Sequence, residues 1–265
     1  MPISFGGRYQ GSSFHELLAV DHAQLVPDWS RLSQVGLDPE RVPHGTTVLA
    51  FKYADGVIVA GDRLATEGHR VASRDLEKVL ATDDYSLIAI AGAAGPALEM
   101  ARLMRIELEH YEKIEGERLE LDGKANRLSQ MVRANLPAAM QGLVVVPLFA
   151  GYDRRRRIGR VWKYEITGAR FEEQEYDSVG SGSIFAKESL KKRWQAGASR
   201  EQALRMAVEA LTDAADEDRA TGGVDVLRGI YPTIKTCTAA GIEEVADAEI
   251  AAVYQQLMES RGSGA

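Results

Sequence analysis

The order of predicted strands and helices most constrains how this chain of 265 residues folds. Strand segments are runs of β-prone residues between turn signals, and helix segments space apolar residues three or four apart. The predicted strands are residues 46–53, 57–61, 79–82, 85–91, 143–152, 159–166, 171–178 and 233–239. One helix is predicted to begin near Pro96, and the others cover 124–140, 183–195, 200–219 and 248–259. Because groups of strands are followed by pairs of helices, the order excludes a doubly wound parallel sheet. It predicts an α+β fold in which sheets pack face to face with helices outside.

The chain changes character near residue 45. Residues 1–45 are weakly periodic and contain four of the eight prolines, a pattern typical of an extension rather than a domain. The extension has room for one short amphipathic helix, at residues 14–20. Residues 46–265 are densely patterned, and we predict that they form the folded domain.

Composition narrows the class of protein. The net charge of −7 argues against a general nucleic-acid binder and against docking on an anionic membrane. No stretch approaches the roughly 20 apolar residues that span a bilayer, and the start of the chain does not resemble a secretory signal. The single cysteine, Cys237, excludes an intrachain disulfide and fits a reducing compartment, so we expect a cytoplasmic protein. Cys237 lies in an apolar strand and is expected to be a core residue.

Several common catalytic chemistries lack their motifs. The five histidines have no partners at metal-ligand spacing, which argues against a zinc site. Neither a G-x-S-x-G nucleophile elbow nor a G-x-x-x-x-G-K-[ST] phosphate loop is present. We therefore expect no metal and no organic cofactor.

The junction of extension and domain carries one chemically suggestive bond, between Gly45 and Thr46. Cleavage there would give Thr46 both a free α-amine and a β-hydroxyl. The amine has a reference pKa of about 7.7 to 8.0, so it could accept the hydroxyl proton near neutral pH. One residue would then supply nucleophile and base. Taken alone, however, the dipeptide favours the simpler interpretation, that it marks the beginning of a strand.

Five further segments recur in order along the domain. They are Gly61-Asp62-Arg63, the run Ser-Arg-Asp-Leu-Glu-Lys-Val at 73–79, Ala-Gly-Ala-Ala-Gly-Pro at 91–96, Val-Gly-Ser-Gly-Ser at 179–183 and Asp-Glu-Asp-Arg-Ala-Thr-Gly-Gly at 216–223. Together they resemble the proteasome β subunits, with the greatest similarity to the actinobacterial form, over residues 45 to 260. The resemblance implies a four-layer αββα sandwich, the fold of the N-terminal nucleophile hydrolases. It also implies that residues 1–45 are a propeptide removed on maturation, which leaves 46–265 as the catalytic domain.

The resemblance also assigns roles to residues. It implies that Thr46 is the nucleophile, that Asp62 and Lys78 assist it, and that the Gly92 N–H stabilises the oxyanion. Gly92 lies just before a predicted helix, where backbone N–H groups favour negative charge. The supporting residues around the amine fall on Ser181, Asp218 and Thr221, where Thr221 replaces the family's common serine. An ordinary ion pair between neighbouring strands is the alternative interpretation of Asp62 and Lys78.

The resemblance to the proteasome β subunits also implies which residues of this chain contact the substrate. The pocket for the residue before the cut bond falls on Ala65, Leu76, Leu80, Ile90, Ala94 and Leu98. The backbones of Thr66 and Ala94 match positions that pair with the substrate strand. Because none of these side chains is charged, we expect preference for bulky apolar or aromatic residues.

Three functions remain open on the sequence. The first is an active threonine endopeptidase that cuts its own Gly45–Thr46 bond. The second is a non-catalytic structural subunit of a proteasome-like ring. The third is the simpler bacterial relative that works with another unfoldase. That family resembles this chain less in the long extension and in the Ser73–Lys78 segment. For the first, the resemblance implies seven-membered β rings stacked on α subunits, and an ATPase ring that feeds unfolded, sometimes tagged, proteins.

Overall fold

The computed structural model describes residues 9, 11, 14–23, 46–67 and 70–262. The strands are β1 Thr47–Tyr53, β2 Gly56–Gly61, β3 Ala65–Glu67, β4 Arg70–Ser73, β5 Val79–Asp83, β6 Ser86–Gly92, β7 Val145–Asp153, β8 Ile158–Tyr164, β9 Arg170–Glu173, β10 Tyr176–Gly180, β11 Thr233–Thr238 and β12 Gly241–Glu244. The helices are α1 Phe14–Asp21, α2 Ala94–Glu115, α3 Leu121–Ala134, α4 Leu136–Ala139, α5 Ser183–Arg193, α6 Arg200–Glu217 and α7 Asp247–Gly262.

Two five-stranded antiparallel sheets form the centre of the molecule. The first has the order β10-β1-β2-β11-β12 and the second the order β5-β6-β7-β8-β9, while β3 and β4 form a separate hairpin. Strand β1 shows how the layers arise from its sequence. Val48 and Ala50 face an apolar cluster between the sheets, whereas Leu49 and Phe51 face the helices α5, α6 and α7. Successive side chains of a strand point to opposite faces, so a strand that is apolar on both faces becomes buried between two layers.

A third apolar cluster joins the second sheet to α2 and α3 and includes Met104, Leu128 and Trp162. The layers therefore run helices, sheet, sheet, helices. The predicted α+β sandwich with four αββα layers is confirmed. Within the described residues, no helix is long and apolar enough to cross a membrane.

Two predicted elements were wrong in detail. Residues 171–178 form two strands in different sheets, because the chain bends at Gln174 and Glu175 and then pairs Tyr176 with Phe51 of β1. The helix predicted at 124–140 is two helices, since Pro137 lacks the N–H that a continuous helix would need. The hairpin β3–β4 and the edge strand β12 are short and were not predicted.

Part of the extension is described. The short helix predicted at 14–20 is present as α1, and it buries Leu17 and Leu18. Its Phe14 ring lies 5.5 Å from the His110 ring on α2, measured between centroids. Gly45, one side of the predicted cleavage bond, lies outside the described residues.

Candidate active site

The site forms where β1 begins and β2 ends. These strands are antiparallel and pair Val48 with Gly61, so the residue before β1 and the residue after β2 become neighbours. The Asp62 N–H donates to the Thr47 carbonyl at 3.1 Å. Thr46 is almost fully buried, and its carbonyl accepts the Ser181 N–H at 2.9 Å. The antiparallel register thus brings three sequence-predicted positions, Thr46, Asp62 and Ser181, to one end of the first sheet.

The Asp62 carboxylate is fully buried and saturated with donors. Its Oδ1 accepts hydrogen bonds from the Thr47 N–H at 2.8 Å and from Lys78 Nζ at 2.7 Å. Its Oδ2 accepts from the Leu64 N–H at 2.9 Å and the Gly222 N–H at 2.8 Å. Four donors around a buried carboxylate fix its orientation.

Lys78 is the cation of the site. Its ammonium donates to Asp62 and to the Leu64 carbonyl at 2.5 Å, and its side chain is only 1 % exposed. Burial lowers the pKa of Lys78 below its ordinary value, while the negative charges of Asp62 and Asp218 offset part of that effect. A cation is therefore held in a dry position one residue before β5, where it can stabilise developing negative charge.

A second carboxylate is connected to the Thr46 carbonyl through the Ser181 hydroxyl. Asp218 follows the last residue of α6, and its Oδ2 accepts hydrogen bonds from Ser181 Oγ at 2.5 Å and Thr221 Oγ1 at 2.6 Å. Ser181 Oγ also lies 3.3 Å from the Thr46 carbonyl oxygen, to which it donates in its alternative orientation. The predicted trio of Ser181, Asp218 and Thr221 therefore forms one hydrogen-bonded group next to Thr46.

Gly92 ends β6, two residues before α2 begins. Its φ is +103°, and a Cβ added there would lie 2.1 Å from the Val144 carbonyl oxygen. Both the left-handed backbone and the close approach require glycine. Ala91 packs in the same inter-sheet cluster as Val48, which places the end of β6 opposite the start of β1.

The predicted substrate positions are only partly brought together. Leu80 and Leu98 pack against the cluster that contains Ile90, so these three share one apolar region. The remaining four lie on β3, on the loop before β5 and at the start of α2: Ala65, Thr66, Leu76 and Ala94. A cavity of about 510 Å³ adjoins Thr221 and Gly222, but none of the seven predicted positions lines it.

Sequence reasoning missed three residues of this site. Thr47 was taken only as a strand residue, yet both its N–H and its hydroxyl bond within the site. Gly182 donates its N–H to Thr47 Oγ1 at 2.9 Å, and Gly222 donates to Asp62. The Thr-Thr pair and the glycines inside the two quoted motifs were visible signals, but their partners are more than 130 residues away in the chain.

The described part of the chain contains no metal-binding cluster of side chains. No group of three or more His, Cys, Asp or Glu side chains there is arranged to hold a metal ion. Cys237 is buried in the inter-sheet core, as predicted, and burial raises the pKa of its thiol to about 12.

The fold and the position of the site at the start of β1 define the class as the α+β sandwich of the N-terminal nucleophile hydrolases. The family model described as "Proteasome subunit" matches residues 42–228. The chain is 52 % identical to "Proteasome subunit beta" of Rhodococcus erythropolis, over 98 % of this chain and 91 % of that protein. It is 52 % identical to "Proteasome subunit beta" of Frankia casuarinae, over 95 % and 91 % of the two chains. The protein of that name from Acidothermus cellulolyticus is 49 % identical, over 94 % and 87 %. The chain therefore belongs to the proteasome family, as a β-type subunit.

Proposed function

We propose that this subunit is a threonine endopeptidase whose nucleophile is Thr46. The observation that carries the proposal is the buried pair of Asp62 and Lys78, whose Asp62 Oδ1 also accepts the N–H of the residue after Thr46. A pair that served only to join strands would not need to meet at the amino end of the domain. Residues 1–45 are then a propeptide, and 46–265 the mature catalytic domain.

The reaction divides into two steps. The Thr46 hydroxyl oxygen bonds to the carbonyl carbon of the substrate while its proton passes to the α-amine. The peptide C–N bond then breaks as the leaving amine takes that proton, which leaves an ester on Thr46. Water hydrolyses the ester and returns a proton to the Thr46 oxygen.

Each neighbouring group has a part in these steps. The Lys78 ammonium favours the neutral amine and the developing alkoxide, because a nearby cation disfavours a second positive charge. Asp62 keeps Lys78 charged and oriented. The Gly92 N–H, just before α2, donates to the oxyanion. Ser181 and Asp218, with Thr221, hold the amine.

Maturation uses the same hydroxyl against the carbonyl of Gly45. While residues 1–45 remain attached, the Thr46 nitrogen is an amide and cannot act as a base. The subunit is therefore made as an inactive precursor, and cutting the Gly45–Thr46 bond creates the amine that the mature reaction needs.

Substrate preference follows from the apolar region of Leu80, Ile90 and Leu98. We expect cleavage after bulky apolar or aromatic residues, with Ala65, Leu76 and Ala94 completing the pocket and Thr66 pairing with the substrate backbone. A panel of fluorogenic peptides tests this. Faster cleavage after arginine or glutamate than after leucine or tyrosine would contradict the expected pocket.

The assembly belongs to the same proposal. Seven copies form a ring that stacks on α subunits, and an ATPase ring feeds unfolded, in some cases tagged, proteins to the enclosed sites. The particle is cytoplasmic and works without a metal or organic cofactor. Particle symmetry seen by electron microscopy separates this assembly from the simpler bacterial relative.

The deciding experiment is intact-mass analysis after co-expression with an α subunit, together with peptide hydrolysis. The wild-type chain should lose residues 1–45 and hydrolyse peptide. Thr46→Ala should stay at 29.0 kDa and be inactive, while Thr46→Ser, which keeps a hydroxyl, should be processed. A wild-type chain that stayed at 29.0 kDa in assembled particles would instead indicate a structural subunit.

A further inference from the structure

Thr47, the residue after the proposed nucleophile, makes more hydrogen bonds than a strand residue requires. Its side chain is fully buried. Its hydroxyl accepts the Gly182 N–H at 2.9 Å and lies 2.6 Å from the hydroxyl of Thr221. Its own N–H donates to Asp62 Oδ1 at 2.8 Å. Thr47 is thus bonded both to the Asp62–Lys78 pair and to a hydroxyl of the second carboxylate group.

The direction of these bonds follows from counting protons. A hydroxyl has one proton to donate, and an ionised carboxylate only accepts. Thr221 Oγ1 donates its proton to Asp218 Oδ2 at 2.6 Å. The proton between the two threonine oxygens must then come from Thr47. The chain runs in one direction: the Gly182 N–H donates to Thr47, Thr47 donates to Thr221, and Thr221 donates to Asp218.

We propose that Thr47 is a positioning residue for the reaction at Thr46, because its hydroxyl fixes the Thr221 proton on Asp218 and so sets the environment of the α-amine. This inference rests on the proposed function. Thr47 is fully buried and its hydroxyl bonds to Thr221, so it acts through Thr221 and Asp218. Without its hydroxyl, Thr221 is free to turn its proton elsewhere, and Asp218 is less well neutralised by hydrogen bonds.

Space around Gly182 supports a fixed arrangement. A Cβ added to Gly182 would lie 2.5 Å from the hydroxyl oxygens of both Thr47 and Thr221. The φ of Gly182 is −86°, a value open to any residue, so the glycine here is required by the closeness of the two hydroxyls and not by backbone strain. The absence of a side chain at Gly182 therefore allows the hydroxyl oxygens of Thr47 and Thr221 to lie within hydrogen-bond distance.

The main test compares kcat and KM of fully processed particles that carry Thr47→Val, which removes the hydroxyl and keeps the shape. We expect kcat to fall about 10- to 30-fold, in the range for losing one bond of a charge-assisted network, with KM within about two-fold of wild type. Thr47→Ser, which keeps the hydroxyl, should restore kcat to within about three-fold. If Thr47→Val fails to assemble, Thr47→Ala, which also lacks the hydroxyl, is compared with Thr47→Ser instead.

Thr82→Val is the matched control. Thr82 is also fully buried, and its hydroxyl bonds to the Ser86 carbonyl at 3.0 Å and the Ser86 hydroxyl at 2.9 Å, outside the site. It should lose stability as Thr47→Val does and yet keep kcat within about two-fold. Equal kcat values for the two variants would overturn the proposal, because a merely structural threonine gives that result.

The pH dependence of kcat/KM is a second test, because a loss of stability alone would not shift it. The charged groups of the site next to Thr46 are Lys78 before β5, Asp62 after β2 and Asp218 after α6. A less neutralised Asp218 attracts a proton to the amine more strongly. The acid limb of kcat/KM should therefore move to higher pH in Thr47→Val, and an unmoved limb argues against the proposal.

A double-variant cycle locates the effect. If Thr47 acts through Thr221, then Thr221→Val should mask it, and the double variant should be no slower than the slower single variant. Multiplicative losses would show independent roles and overturn the inference. Failure of the proposed function looks different, since Thr46→Ala would then retain peptide hydrolysis whatever residue occupies position 47.

Discussion

The strongest prediction concerns Asp62→Asn, a change of nearly constant shape at a fully buried carboxylate. Each oxygen of Asp62 faces two donors, so whichever way an asparagine amide turns, its NH₂ group opposes one pair of them. The Lys78 ammonium also loses its carboxylate partner. Removing one member of a buried ion pair costs about 3–5 kcal/mol. For a domain of this size each kcal/mol corresponds to about 2–4 °C, so the melting temperature should fall by roughly 6–20 °C.

The assay is thermal unfolding of the isolated precursor, followed by circular dichroism at neutral pH. Lys78→Met is the matched control, because it leaves Asp62 with its three backbone N–H donors from Thr47, Leu64 and Gly222. Hydrogen bonds to a carboxylate stabilise its charge, so we expect a smaller loss in that variant. The reasoning is refuted if Asp62→Asn melts within about 2 °C of wild type, or if Lys78→Met is the less stable of the two.

The same variant has a defined pH dependence. Burial already lowers the pKa of Lys78, and Asp62→Asn removes the carboxylate that raises it, so the folded-state pKa falls further. Between that lowered pKa and the ordinary value of 10.5, the unfolded chain binds more protons than the folded chain. Stability of the variant therefore rises with pH across this window, and its deficit against wild type shrinks until the pH reaches the Lys78 pKa of the wild type. A deficit that grew with pH would contradict the assignment.

Three further results are expected. Gly92→Ala should lower the free energy of unfolding, measured with denaturant, by at least about 2 kcal/mol, because of its positive φ and the contact with the Val144 carbonyl. Gly95→Ala is the control and should be neutral or slightly stabilising, because a Cβ there meets nothing within 4 Å. Equal losses in the two variants would contradict this. Cys237 should resist alkylation in the folded chain. Because its pKa is raised to about 12 from 9.0, wild type should lose about 1.4 kcal/mol per pH unit above pH 9 relative to Cys237→Ala, and parallel pH curves would refute the shift. Ser199→Ala should remove the capping box of α6 at a cost of about 1 kcal/mol, and an unchanged denaturation midpoint would show that the cap is not needed.

Several parts of the fold were accessible to sequence reasoning because they depend on local patterns. The apolar runs of β1 and β2, the capping box of Ser199 and Gln202, and the burial of Cys237 all follow from residues close together in the chain. By contrast, nothing local separates β9 from β10. Only residues 174 and 175 lie between the two strands, and their placement in different sheets is decided by partners β8 and β1.

The site shows the same division. The sequence by itself determined that a Thr-Thr pair opens the domain, that a carboxylate follows β2 and that a lysine precedes β5. Only the tertiary structure decided that Asp62 would accept four hydrogen bonds and that Thr47 would meet Thr221, 174 residues away. Local patterns report which face of an element is buried. Hydrogen bonds between distant segments depend on how whole layers pack, and no short window of sequence contains that information.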